Sequence, residues 1–267
     1  MKVALTIAGS DSSGGAGIQA DLKTFQAHGV FGMSAVTAVT VQNTQKVYDI
    51  QEIEPRIVHD QITCLFDDIK IDAVKIGMVS GIELIKAIAR ALQAVNPPPV
   101  VLDPVMISKS GYCLLNQNAQ GALVDNLFPL AEVITPNIYE AEALIGKKIN
   151  NVDEMKNAAQ EILNLGVKKV VVKGGHLKED RATDVLYDGK EYKELHSHRV
   201  ETKNTHGTGC TFSSAIAANI ALGKRFFEAV SLAKEYITGA IEHSLSIGQG
   251  HGPTHHFFDL YAKAGIG

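Results

Sequence analysis

The chain has 267 residues, of which 45% are hydrophobic and 20% are charged. This composition excludes a disordered or collagen-like chain and supplies enough apolar residues for a sizeable core. The 25 basic and 29 acidic residues give a formal net charge of −4. No bulk positive field therefore favours nucleic acid or an anionic membrane as partner, although a local basic site could still bind a phosphorylated ligand.

Short apolar runs rich in β-branched residues alternate with amphipathic segments along the chain. Strands are predicted at residues 3–8, 34–41, 73–76, 100–102, 132–135 and 169–173. These runs are almost continuously apolar, which is typical of a sheet covered on both faces. A hairpin is predicted at a sheet edge, with strands at 184–187 and 191–195.

The helices between the strands carry recognisable start and stop signals. One helix spans residues 18–27, and Pro55 begins another whose apolar face continues to Ile69. Asn151 is an expected N-cap. The remaining predicted helices cover residues 84–95, 151–166, 209–222 and 226–246, with a further segment after Pro253. The alternation predicts a single three-layer α/β/α domain over residues 1–267, with a mostly parallel sheet and a ligand site at the carboxyl ends of its strands.

The cysteines and the uncharged stretches bear on the compartment. The three cysteines, Cys64, Cys113 and Cys210, form no CxxC pair, which argues against a disulfide framework or a zinc site and favours a reducing cytoplasm. Two long uncharged stretches, 24–45 and 204–223, carry Gly, Ser, Thr and Asn, so neither is expected to span a membrane. The apolar N-terminus is too short for a secretory signal and is interpreted as a buried strand.

Two glycine-rich loops are candidate ligand-binding segments. Residues 9–17, GSDSSGGAG, follow the first strand and are expected to expose backbone N–H groups at the start of a helix. A tight structural connection and a weakly matched dinucleotide fingerprint, Gly15-x-Gly17-x-x-Ala20, are the alternatives. Residues 204–211, NTHGTGCT, enter a helix of small residues, and the glycines could fold the backbone into a nest for an anion.

Cys210 would occupy the first turn of that helix. The pKa of a thiol at this position tends to fall, so Cys210 could act as a base or nucleophile. The alternative is that Cys210 is a buried apolar filler.

Polar residues also follow the predicted strands. Asp103 ends one strand, and Glu140 lies one turn after the end of the next; together these carboxylates could hold Mg²⁺, although each could instead be a cap or a solvated helix residue. Lys173 ends another strand and could meet phosphate oxygens, or simply lie in a turn. The histidines at 251, 255 and 256 lie in a polar segment without a matching carboxylate or cysteine cluster, so a metal site is not favoured there.

The motifs, taken together, resemble the bacterial hydroxymethylpyrimidine/phosphomethylpyrimidine kinases of the ribokinase-like superfamily. The resemblance rests on AGSDSSGGAGIQADLK at 8–23, TVQNT at 40–44, KIGM at 75–78, LDPVM at 102–106, TPN at 135–137, VKGGH at 172–176, KNTHGTGCT at 203–211 and GHGP at 250–253. The set follows the family order over nearly the whole chain. It implies a ribokinase-like fold and an ATP- and Mg²⁺-dependent kinase that converts 4-amino-5-hydroxymethyl-2-methylpyrimidine to its monophosphate and then its diphosphate for thiamine biosynthesis.

The resemblance also implies roles for individual residues. Gln42 would hydrogen-bond the pyrimidine ring, and Asp11 and Met78 would line the substrate pocket. Asp103 and Glu140 would organise Mg²⁺. The nucleotide side would comprise Asn137, Lys173, Gly174, Gly175, His176 and Thr208, and the catalytic group Gly207, Gly209 and Cys210. Cys210 stands where ribokinase relatives usually carry an Asp base.

Residues 107–113 resemble the family's flap over the site. Tyr112 and Cys113 stand where the family usually has Asp-Pro. We also expect a cytoplasmic homodimer with no nucleic-acid or membrane partner.

Three competing hypotheses remain open at this point. A pyridoxal or pyridoxine kinase of the same superfamily is the nearest, because the two rings are similar in size. A nicotinamide-dependent oxidoreductase would use the fingerprint at Gly15. A non-catalytic pyrimidine- or nucleotide-binding module would bind ligand without turnover.

Overall fold

The computed structural model describes residues 1–106, 114–115, 118–175, 177 and 181–266. Nine strands lie within them: β1 (Val3–Ser10), β2 (Phe31–Gln42), β3 (Val47–Glu52), β4 (Ala73–Ile76), β5 (Val100–Leu102), β6 (Val133–Ile134), β7 (Val170–Val172), β8 (Arg181–Tyr187) and β9 (Tyr192–His198). The α-helices described are α1 (Gly17–Ala27), α2 (Pro55–Asp68), α3 (Ile82–Val95), α4 (Ala119–Asn126), α5 (Ile138–Ile145), α6 (Val152–Leu163), α7 (Thr208–Ala221), α8 (Phe226–Glu242) and α9 (Phe258–Ala264).

The strands of the described residues form one sheet in the order β3-β2-β1-β4-β5-β6-β7-β8-β9. The pairs from β2 through β7 are parallel, whereas β3, β8 and β9 join antiparallel. Parallel neighbours require crossover connections, and the helices between the strands provide them. All the parallel strands therefore end at the same edge of the sheet.

Apolar side chains cover both faces of the sheet. On one face the core includes Val58 and Ile62 of α2, Leu92 of α3 and Met155 of α6. On the other, α1, α7 and α8 pack through another cluster that includes Phe212. The expected three-layer α/β/α fold is therefore confirmed.

Several local predictions are also confirmed by the structure. Pro55 begins α2, and the Asn151 side chain accepts a hydrogen bond from the Glu154 N–H to cap α6. The helix predicted from 226 ends at Glu242, a few residues early. Within the described residues, no helix is long and apolar enough to cross a membrane.

The edge strand β3 was not expected from the sequence. Only its first residue, Val47, is buried, and the others are at least partly exposed. An edge strand with so little buried surface needs no continuous apolar run, so the hydrophobic pattern gave no signal for it.

Replacing a buried leucine tests the packing of α3 against the sheet. Leu92 is fully buried, and we expect Leu92→Ala to lower the free energy of unfolding by about 2–5 kcal/mol, since the truncation loses buried apolar surface and leaves a cavity. Leu260 of α9 is 43% exposed, and Leu260→Ala is the matched control. Urea denaturation measures both; equal losses would contradict this account of the core.

Candidate active site

The predicted site residues lie at the carboxyl edge of the sheet. Asp103 directly follows β5, Asn137 and Glu140 follow β6, and Lys173 follows β7. Thr208 begins α7. The edge thus gathers side chains from distant parts of the sequence around one helix N-terminus.

An ion pair between Asp103 and Lys173 lies at the centre of this edge. The Lys173 Nζ and an Asp103 Oδ are 2.8 Å apart, and the Thr135 hydroxyl donates to the same carboxylate at 3.0 Å. Burial opposes ionisation of Asp103, but Lys173 and then Lys75 hold its pKa below the ordinary value. Burial likewise opposes the charge on Lys173, but Asp103 and Glu140 raise its pKa. Both groups therefore remain charged near neutral pH.

Gly209 brings the start of α7 against this ion pair. A Cβ placed on Gly209 would lie 3.4 Å from an Asp103 Oδ and 3.5 Å from the Lys173 Nζ. The Ser213 hydroxyl, one turn further along α7, lies 3.4 Å from the same carboxylate. The positive end of the helix dipole and a lysine therefore lie close together, which suits an anionic ligand.

Glu140 is both a helix cap and a buried acid. Its carboxylate accepts a hydrogen bond from the Asn137 N–H at 2.8 Å, while the Asn137 side chain accepts from the Glu140 N–H at 3.0 Å. Burial raises the pKa of Glu140 to about 7, with Lys173 opposing the shift and Asp103 adding to it. The two carboxyl groups thus differ in proton affinity although they share one neighbouring lysine.

Asp11 organises the first glycine-rich loop. Its carboxylate accepts hydrogen bonds from the N–H groups of Ser13, Gly15 and Ala16 at 2.8–3.0 Å and lies 2.8 Å from the His206 Nε2. Burial opposes ionisation, but the hydrogen bonds from His206 and Ser13 lower the pKa of Asp11 to about 2. The expectation that this loop exposes its N–H groups to a ligand is wrong for these three residues, because their N–H groups bind Asp11.

The two glycine-rich loops pack directly against each other. Gly207 has a φ of +78°, and a Cβ there would lie 1.8 Å from the Gly15 carbonyl oxygen. A Cβ on Gly15 would lie 2.4 Å from the His206 ring. The glycines thus allow close approach of two backbones, a requirement that the sequence pattern alone did not reveal.

Cys210 lies in the first turn of α7, as predicted. The residue is partly exposed, yet the surrounding protein desolvates its thiol. This burial raises the pKa of Cys210 to about 11, against the opposing effects of Lys75 and the Gly17 N–H. The expectation of a lowered thiol pKa is wrong, because desolvation outweighs the nearby positive charge. Cys210 is therefore a protonated thiol near neutral pH.

Gln42 and Met78 lie near the first loop. The Gln42 side chain approaches the His206 Nε2 at 3.4 Å and the Thr40 hydroxyl at 3.2 Å. Met78 is nearly buried, and its Cε would lie 2.4 Å from a Cβ on Gly9. The end of β2 and the segment after β4 thus border the loop that follows β1.

The comparisons with known proteins cover almost the whole chain. A family model for phosphomethylpyrimidine kinase matches residues 11–255. The hydroxymethylpyrimidine/phosphomethylpyrimidine kinase of Rhizobium meliloti is 51% identical over 96% of this chain and 97% of its own. The protein of the same name from Bacillus subtilis is 45% identical over 95% and 94%.

The chain belongs to the phosphomethylpyrimidine kinase family. The resemblance drawn from the sequence motifs is thereby confirmed. Among solved structures, an ADP complex of Bacillus subtilis pyridoxal kinase matches with a TM-score of 0.90 and 44% identity, covering 96% of this chain and 98% of that one. The Staphylococcus aureus pyridoxal kinase in complex with AMP-PCP and pyridoxal matches at 0.87 and 37%, covering 96% and 94%. The ribokinase-like fold is confirmed by these matches.

The structure describes Gly174 and Gly175 of the predicted nucleotide side but not the neighbouring His176. The Gly174 N–H donates a hydrogen bond to Asp184 at 3.0 Å, and a Cβ on Gly174 would lie 1.8 Å from the Thr183 carbonyl oxygen. The backbone at Gly174 is therefore held in place. A Cβ on Gly175, in contrast, would meet nothing within 4 Å. His176 and the expected flap at 107–113 lie outside the described residues.

Sequence reasoning assigned no role to Lys75 or Asp21, which form a fully buried ion pair behind α7. The motif around Lys75 was noted, but the partner is 54 residues away in the sequence. No periodic pattern could have joined the two.

Alanine at Gly207 tests whether the contact between the glycine-rich loops is required. Gly207→Ala forces the loops apart, whereas Gly223 shares a positive φ, +90°, with nothing within 4 Å of an added Cβ. We expect Gly223→Ala to cost about 1–2 kcal/mol for backbone conformation alone, and Gly207→Ala to cost clearly more. Urea denaturation of both variants measures the difference, and equal costs would show that the loops yield freely.

Proposed function

We propose that the protein uses ATP to phosphorylate the hydroxymethyl group of 4-amino-5-hydroxymethyl-2-methylpyrimidine and then converts the monophosphate to the diphosphate, for thiamine biosynthesis. The carrying observation is the convergence of Lys173, Asp103 and the start of α7 at one edge of the sheet. This arrangement provides fixed positive charge for a phosphoryl group in transfer. The family membership supplies the substrate class.

The nucleotide side comprises Asn137, Lys173, Gly174, Gly175, His176 and Thr208. Support for ATP comes from the relatives, whose structures are described as complexes with ADP and AMP-PCP. Lys173 is charged and partly accessible, with its side chain 16% exposed, so its ammonium could reach a phosphate oxygen.

Mg²⁺ fits the carboxylates present at the site. Within the described residues no three His, Cys, Asp or Glu side chains are grouped to hold a metal, so Asp103 and Glu140 would share the ion with phosphate oxygens and water, as is usual for Mg²⁺ in kinases. When bound, Mg²⁺ would neutralise the phosphate charge. Glu140 would need to be ionised to take part, and its pKa of about 7 makes this possible near neutral pH.

The substrate side comprises Gln42, Asp11 and Met78. An amide can donate and accept hydrogen bonds, so Gln42 suits the edge of an aminopyrimidine. Asp11 would act through the loop it holds, since its oxygens already accept several hydrogen bonds.

Cys210, Gly207 and Gly209 would surround the phosphoryl group in transfer. Because the Cys210 thiol is protonated near neutral pH, it would position the phosphoryl group and not remove a proton at the outset. A loose phosphoryl-transfer transition state needs little help from a base.

The homodimer and the cytoplasmic location remain predictions.

Pyridoxal phosphorylation is the second candidate. The observation that favours it is the TM-score of 0.90 to Bacillus subtilis pyridoxal kinase. The pyridine and pyrimidine alcohols would compete for the same pocket, and the activity could be dual.

A kinetic comparison of the two alcohols tests the proposal. The purified protein is incubated with ATP, Mg²⁺ and either the pyrimidine or pyridoxal, and ADP release is measured. We expect pyrimidine-dependent ADP release with the larger kcat/KM for the pyrimidine. A more than tenfold preference for pyridoxal would reverse the ranking, and tight NADH binding without ATP binding would instead indicate an oxidoreductase. Ligand binding without turnover would indicate a non-catalytic module.

Substitution of Cys210 tests its role in the transfer. We expect Cys210→Ala to lower kcat far more than it raises KM, because the thiol acts on the transition state and not on bound substrate. Cys210→Ser keeps a hydrogen-bonding group of similar size and is expected to retain more activity than the alanine variant. An unchanged kcat in Cys210→Ala would reduce the residue to a packing role.

A further inference from the structure

A fully buried ion pair lies behind the first turns of α7. Lys75 on β4 and Asp21 on α1 are both 0% exposed, with the Lys75 Nζ 2.9 and 2.8 Å from the two carboxylate oxygens. The Thr6 hydroxyl on β1 donates to the same carboxylate at 2.6 Å, and the Ser214 hydroxyl on α7 donates at 2.7 Å. Four hydrogen bonds from three elements thus fix Asp21 and hold the lysine in one place.

The pair is hydrogen-bonded to Ser214, which lies one helical turn after Cys210 on α7. Ser214 and the Lys75 ammonium bind the same Asp21 oxygen, and residues four apart on a helix share one face. Ser214 therefore locates the ammonium next to the turn that carries Cys210. Gly77 leaves room for it, because a Cβ there would lie 2.8 Å from the Lys75 Nζ.

We propose that Lys75 is a positioning residue of the transfer site: its ammonium, clamped by Asp21, holds a fixed positive charge beside the Cys210 sulfur and so favours the thiolate form over the neutral thiol. The catalytic role of Lys75 rests on the proposed function. The electrostatic effect on the sulfur belongs to the chain itself and can be measured without substrate.

The charges around Cys210 act with opposite signs. Lys75 favours the thiolate, whereas Asp21 and Asp103 disfavour it; Lys173 also interacts with the sulfur and contributes positive charge. Burial opposes the charge on Lys75, yet Asp21, Cys210 and Asp103 raise its pKa above the ordinary value. The ammonium thus stays protonated while Cys210 titrates.

The test measures alkylation of Cys210 by iodoacetamide between pH 7 and 11, in a parent chain with Cys64→Ser and Cys113→Ser so that one thiol reacts. We expect Lys75→Met to slow alkylation at a given pH at least tenfold and to move the rate profile to higher pH. We expect Asp21→Asn to react faster than Lys75→Met, since a negative neighbour of the sulfur is lost and the lysine remains. A purely structural role would expose the thiol and make alkylation faster than in the parent in both variants.

Three further arms keep the outcome decisive. The double variant Asp21→Asn/Lys75→Met has neutral side chains at both positions. We expect its Cys210 to react more slowly than in the parent, because Lys75 affects the thiol more than Asp21 does. The double variant serves as the test if one of the single variants fails to fold. Lys234→Met breaks the nearly buried pair with Asp184, 2.8 Å apart, and should leave the profile unchanged. In kinase assays Lys75→Met should lower kcat more than it raises the KM for ATP.

Alkylation faster than the parent in Lys75→Met, or no change in either single variant, would overturn the proposal. So would a double variant that reacts as fast as the parent. If alkylation behaves as expected but the protein phosphorylates neither alcohol, the proposed function fails and the electrostatic role of Lys75 stands.

Discussion

Charge compensation in the buried zone beneath the start of α7 is the constraint on which the site depends. Asp21, Lys75, Asp103, Lys173 and Glu140 are acids and bases placed alternately, each with a neighbour of opposite sign. A buried charge is tolerated only when it is paired, and breaking such a pair typically costs about 3–5 kcal/mol. The pairs therefore hold β4, the ends of β5 and β7, and α1 in one arrangement.

The same pairing sets the proton affinities of the site. Lys173 keeps Asp103 ionised, whereas Glu140, buried beside the same lysine and near Asp103, has a pKa of about 7. Cys210 keeps its proton because desolvation outweighs the Lys75 charge. One zone thus holds an ionised Asp103, a Glu140 that titrates near neutral pH and a neutral Cys210 thiol around the charged Lys173.

The sequence predicted most of the fold because the buried strands are almost purely apolar and the helices carry caps. The helix starting at Pro55, the cap at Asn151 and the positions of Asp103, Glu140 and Lys173 at strand ends followed from local pattern. The edge strand β3 was missed because exposed edge strands need no apolar pattern. The expected lowering of the Cys210 pKa was wrong because the prediction considered the helix N-terminus and left out the burial of the thiol.

By itself, the sequence determined the alternation of strands and helices, the glycines of both loops and the family to which the chain belongs. Only the tertiary structure decided which groups meet: Asp11 with the loop N–H groups and His206, Gly207 against Gly15, and Lys75 with Asp21. The physical reason is that local pattern reports on hydrogen bonding and burial within an element. Charge pairing and close backbone contact depend instead on distances between elements that are remote in the chain, and these distances exist only after the sheet has assembled.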